Sequence, residues 1–308
     1  MDKRCLFAVL LVATLFVAGC GEGQTTTTSG KSPYIGGSKG VIAEFLQMGI
    51  FNDESSTEEI FEGEAFPIEV ILRNNGEEDI AAAKARVTLM GINLRDFSGI
   101  ASNGVLPNTA PIEKISELNK EGGDVTIDFT SGSEDAKYLI PLTGSSYDIS
   151  VFARVVYEYK THVSVPKVCY KKNFNDKTVC EVEETKDVYS SAAPVQVTSA
   201  EEKMAGTAKV GVEFKIENAG NGDVAKPGQN FDSRYDQLSF AVSDPNEWDC
   251  RSGGRENEVR LDSNGKATII CRLKNAITEE VPYTKQLDLT LSYDYREIIH
   301  KQIRIRKQ

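Results

Sequence analysis

Strand-like runs that alternate apolar and polar residues, Asn- and Gly-containing turns between them, and an ordered internal repeat predict an all-β chain. Helical periodicity is nearly absent. The expected architecture is two tandem immunoglobulin-like β-sandwiches after a signal peptide and a flexible stem. The boundaries read from the sequence are residues 1–19 for the signal, 20–40 for the stem, 41–187 for the first sandwich and 188–308 for the second. The first sandwich carries an expected disulfide hairpin at 165–187.

Length agrees with this division, because 308 residues correspond to two domains at about 150 residues each. Lys and Arg number 35 and Asp and Glu 46, for a net charge of -11. That balance argues against a nucleic-acid partner, which normally calls for a basic patch. At 40% hydrophobic residues the chain has material for a core. Only two histidines are present, which leaves little for acid/base or metal chemistry.

The N-terminus justifies the first boundary. Met1-Asp2-Lys3-Arg4 is short and basic, and an apolar run follows from Cys5 to Ala18. A spanning helix needs about 20 apolar residues, so this shorter run reads as the core of a signal peptide. It ends in Val17-Ala18-Gly19-Cys20, which resembles a lipobox, the motif at which a secreted lipoprotein is lipidated on cysteine and cut before it. Cys20 is therefore the expected lipid anchor and mature N-terminus. The stem, GEGQTTTTSGKSPYIGGSKG from Gly21 to Gly40, is Gly-, Ser- and Thr-rich with no apolar period. Such a coil spans roughly 25 Å root-mean-square, enough to lift a folded unit off a headgroup layer.

With Cys5 in the signal and Cys20 at the anchor, Cys169, Cys180, Cys250 and Cys271 remain. An even number in an exported chain implies two disulfides, and four cysteines allow three pairings. Local closure favours Cys169–Cys180 and Cys250–Cys271. The competing four-cysteine zinc site is disfavoured, since no C-x2-C pair occurs.

The repeat justifies the two sandwiches. Phe66–Arg73 leads into Asn74-Asn75-Gly76, and Lys209–Glu217 leads into Asn218-Ala219-Gly220, 144 residues later. Leu118–Phe129 then matches Leu261–Cys271, with Gly123 against Gly265, and Tyr157-Glu158-Tyr159 matches Tyr293-Asp294-Tyr295. The Asn-x-Gly turns are expected to supply residues tolerant of positive φ. Tyrosines two apart share one strand face, where packing or a tyrosine-corner hydrogen bond is expected. Met90–Asn119 reads as an insertion with a short helix near Pro111–Asn119.

In this order, an apolar strand, Asn-x-Gly, a Leu…Gly segment and Tyr-x-Tyr, the chain resembles the cell-adhesion-related β-sandwich domains found in tandem on archaeal and bacterial surfaces. The resemblance covers most of residues 41–306. It implies fold and location, and it points to the two departures from a simple tandem, Met90–Asn119 and 165–187, as places where recognition is carried.

No nucleophile elbow, phosphate loop or dinucleotide fingerprint is present, and no cofactor is expected. His162 and His300 are far apart in sequence. Acidic runs occur at Asp53–Glu64 and Glu181–Asp187; neither has calcium-loop spacing, and they read as solvated faces that blunt strand edges. The expected protein is a lipid-anchored, non-enzymatic surface protein on the extracellular face of the membrane. It would act as an adhesion, scaffold or binding module toward a surface protein or glycan. Two alternatives are kept. A solute- or metal-capturing lipoprotein would show a concave polar pocket between the domains. A hydrolase or accessory carbohydrate-binding module would use paired carboxylates.

Overall fold

The computed structural model describes residues 31–130 and 134–308. The expected signal peptide, Cys20 and the stem up to Gly30 lie outside the described residues. Lys31–Gln308 forms one compact unit.

The unit is all-β; its only helical pieces among the described residues are single 3-10 turns at Leu94–Asp96 and Ser102–Gly104. The first repeat contains β1 (Val41–Phe45), β2 (Ile50–Asn52), β3 (Thr57–Phe61), β4 (Ala65–Phe66), β5 (Glu69–Asn74) and β6 (Ala85–Met90). It continues with β7 (Phe97–Ser98), β8 (Val105–Pro107), β9 (Asp124–Asp128), β10 (Ala136–Tyr138) and the long β11 (Ser146–Tyr170). After β12 (Glu184–Lys186) and β13 (Tyr189–Ser190), the second repeat runs through β14 (Val195–Gly206), β15 (Lys209–Asn218), β16 (Asp223–Ala225) and β17 (Gln237–Val242). It ends with β18 (Trp248–Ser252), β19 (Arg255–Glu256), β20 (Glu258–Arg260), β21 (Lys266–Leu273) and the long β22 (Tyr283–Arg306).

Each repeat has its own outer sheet, β1-β5-β9 in the first and β12-β14-β15-β21-β18-β19 in the second. The opposing sheet is common to both. It runs β2-β3-β22-β11-β6-β8, with β13 on β11 and β16 and β17 on β22. Inward residues of the two layers, such as Val70 and Leu72 of β5 and Val87 and Val155 of the common sheet, are fully buried in one cluster. This is sandwich packing of alternating strands.

The two long strands hold the common sheet together. β11 and β22 pair antiparallel from Ser146↔Arg306 to Tyr170↔Tyr283, with one register shift between Val165 and Val168. Pro166 and Lys167 fall in that shift; a proline cannot donate to a ladder, and a bulge absorbs the missing bond. The N-terminal half of β11 pairs with β6 on its other side, and the N-terminal half of β22 pairs with β17. The C-terminal half of each long strand therefore extends the sheet of the other repeat. In register, Tyr157 lies opposite Tyr295 and Tyr159 opposite Tyr293, so a local two-fold axis passes between Glu158 and Asp294.

Corresponding atoms make corresponding bonds in the two repeats. The Val41 N–H donates to the Tyr157 hydroxyl at 3.2 Å, and the Val195 N–H to the Tyr293 hydroxyl at 3.4 Å. The Glu78 N–H donates to Tyr159 at 3.3 Å, and the Gly222 N–H to Tyr295 at 2.7 Å. The Asn74 and Asn218 amides donate to the carbonyls of Glu78 and Gly222, and their N–H groups bond the carbonyls of Gly123 and Gly265. The sequence landmarks are thus the fixed points of a repeated hydrogen-bond frame.

Three local expectations are corrected. Gly76 and Gly220 do not adopt positive φ. They are needed for close approach, since a Cβ on either would lie 2.0 Å from the hydroxyl of Tyr159 or Tyr295. Pro111–Asn119 forms no helix; Ile112 bridges Ile80 instead and Ile115 donates its N–H to the Gly76 carbonyl, so the segment is tied down as extended chain after its initial Pro. Residues 165–187 are a bridged loop rather than a two-stranded hairpin, because β12 pairs with β14 and not with β11.

Candidate functional site

The inward face at the axis is a packed tyrosine cluster. Tyr157 and Tyr295 have ring centroids 5.6 Å apart, and Tyr159 and Tyr293 6.4 Å. All four are buried. Desolvation raises their phenols, with Tyr295 pushed up to about 12, so they remain neutral hydrogen-bonding groups. This face builds the junction between the repeats.

The outward face at the same axis is a groove of about 570 Å³. Three strands pave it, because outward side chains of β6, β11 and β22 line up in register. One row holds Arg86, Val156 and Arg296, and the next holds Thr88, Arg154 and Ile298. Arg86, Arg154 and Arg296 therefore surround Val156. The Gly228–Phe231 loop of the second repeat forms the far wall, with the Arg296 guanidinium 4.3 Å from the Phe231 ring centroid.

Charges on the wall are unevenly matched. Lys84 pairs with Glu158 at 2.6 Å, and Arg296 with Asp223 at 2.7 Å. Asp294 accepts the Gly228 N–H at 2.9 Å through one oxygen, while its other oxygen is buried without a partner. Desolvation, with a lesser push from Glu158, holds the Asp294 carboxyl above its usual range. The guanidinium groups of Arg86 and Arg154 enter no ion pair or hydrogen bond among the described residues. Two like charges on diagonal positions of adjacent strands repel each other when no anion lies between them.

Cys169 and Cys180 are bridged with Cα atoms 5.7 Å apart, and Cys250 and Cys271, register partners on β18 and β21, with Cα atoms 3.9 Å apart. The first loop packs on the second repeat. The Cys169 N–H donates to the buried carboxylate of Glu202 on β14 at 3.0 Å, and Tyr170 stacks on Tyr283. Lys171, buried inside the loop, donates to the carbonyls of Asp176 and Cys180. The anchor residue Cys20 lies outside the described residues.

The acidic runs are engaged locally. Glu58 pairs with Lys301, Glu59 with Arg306, and Glu184 with Lys186. Glu62 and Glu64 accept the N–H groups of Leu142 and Phe61. His162 contacts Glu78 at 3.0 Å, and the His300 ring lies tilted against Phe152 with centroids 5.7 Å apart. No group of three or more His, Cys, Asp or Glu side chains among the described residues is arranged to hold a metal ion. The tyrosines were legible in the sequence as landmarks of the repeat, while the axis and its groove were not. The groove's signal was the cationic outward positions beside them, Arg154 and Arg296, which only the strand pairing joins to Arg86.

Neither a protein-family model nor a curated protein matches this chain. The class the fold defines is an all-β protein of β-sandwich type, stapled by two disulfides.

Proposed function

We propose that this chain is a lipid-anchored protein of the extracellular membrane face that works by binding rather than by catalysis. Cys20 is the anchor, the following Gly/Ser/Thr-rich residues give reach, and the β-sandwich repeats, of the cell-adhesion-related kind, present a surface to a protein or glycan. The two repeats are read as immunoglobulin-like domains at 41–187 and 188–308. The observation that carries the binding role is the groove at the axis, where both repeats contribute side chains and two guanidinium groups are left uncommitted. Two disulfides support an oxidising compartment. Two acyl chains are required for stable anchoring, which a lipobox modification supplies.

Capture of a solute is the second reading, favoured by the same observation, because a concave polar groove is what that role requires. The anchor is tested by Cys20→Ser. The variant is expected to leave the membrane fraction or to keep its full precursor mass; unchanged mass and unchanged fractionation would overturn lipidation.

A further inference from the structure

The geometry points to an oxoanion site in the groove on the two-fold axis, with Arg86 and Arg154 holding a carboxylate, sulfate or phosphate group of the ligand. The inference rests on reading the unit as a binding module and names the ligand class for that site; it does not depend on the lipid anchor.

Four features of the groove carry it. Arg86 and Arg154 sit on adjacent strands at diagonal positions, a spacing within reach of one oxoanion for side chains of this length. Neither has an anionic partner, whereas the other two cations of the wall, Lys84 and Arg296, are paired. A guanidinium presents two parallel N–H donors matched to two oxygens of such a group, so the pair offers up to four charge-assisted bonds. Thr88 stands opposite Arg154 and adds a hydroxyl.

The rest of the wall extends this footing. Phe231 gives a flat apolar surface beside Arg296. Gly228 has open space where a side chain would be, so backbone approaches the groove without obstruction. The acidic groups present, Glu158 and Asp294, lie on the axis two residue pairs beyond Val156; Glu158 is neutralised by Lys84. The chain as a whole is acidic, at -11, which disfavours a long polyanion and favours a single acidic group.

Isothermal titration of the full chain in neutral detergent, with sodium sulfate, sodium phosphate and a glucuronate oligosaccharide as separate probes, tests the site. Binding is expected for at least one probe. It should weaken about tenfold or more in Arg86→Gln and in Arg154→Gln, since each removes charged hydrogen bonds. Arg154→Lys, which keeps the charge and loses the fork, should fall between. Tighter binding of the oligosaccharide than of either inorganic ion would place the group on an acidic sugar; the reverse would make the ligand a free anion. Equal binding by wild type and the Arg86→Gln/Arg154→Gln double variant, with unchanged melting temperatures, would overturn the proposal, as would no binding of any probe. Fractionation of Cys20→Ser reads the anchor separately, so failure of one leaves the other standing.

Discussion

Glu297 occupies in β22 the place that Thr161 occupies in β11: each lies two residues after the second tyrosine of its motif and diagonal to a tyrosine of the opposite strand. Thr161 fills the position with bonds, to the Tyr293 hydroxyl at 3.0 Å and the Val195 carbonyl at 2.6 Å. Glu297 has an oxygen buried without a partner, and desolvation pushes its carboxyl up to about 7.

A pH dependence follows. An unfolded glutamate titrates near 4.3, so between that value and about 7 the folded chain holds a proton that the unfolded chain has lost. This group therefore lowers stability as pH rises through that window, and the loss is complete above it. Glu297→Thr, which copies the sibling site, and Glu297→Gln should each raise stability at pH 8 by on the order of 2 kcal/mol and have little effect near pH 4.5. Urea midpoints at the two pH values measure it; equal gains at both would show that charge is not the cause.

The repeated hydrogen-bond frame makes paired predictions. Tyr159→Phe and Tyr295→Phe each leave a part-buried N–H without its partner, at Glu78 and Gly222, and should each cost about 1–2 kcal/mol in equilibrium unfolding. Gly76→Ala and Gly220→Ala force a methyl against the same hydroxyls and should each cost about 2–4 kcal/mol. A large effect in one repeat with none in the other would contradict their equivalence.

The disulfides close loops between positions 11 and 21 residues apart. Replacing either cysteine pair with serine should lower stability by roughly 3 kcal/mol. Non-reducing peptide mapping should recover Cys169 with Cys180 and Cys250 with Cys271. Any other partner would break the arrangement in which the first loop packs on β14.

Much of the fold was legible because strand alternation and turn residues are local signals. Asn74, Asn218, Gly123, Gly265 and the four tyrosines marked the repeat through their order alone. The role of Gly76 and Gly220 was misread, since the need for glycine comes from a tyrosine some 80 residues away rather than from the turn itself. The shared sheet was hidden for a related reason. Local alternation does not mark a strand of 25 residues as one element, and Pro166 falls inside it where the ladder bulges. Arg86 and Arg154 are ordinary exposed-face residues in sequence; their proximity exists only through the β6–β11 register.

β11 and β22 join the repeats into one unit, with the groove on their axis. Native-state hydrogen exchange of the full chain tests it most directly. The backbone amides of Tyr157, Tyr159, Tyr293 and Tyr295 should exchange together and only through global unfolding, as the most protected set in the chain. Early exchange of these four amides, while the outer sheets β1-β5-β9 and β14-β15-β21 stay protected, would contradict it.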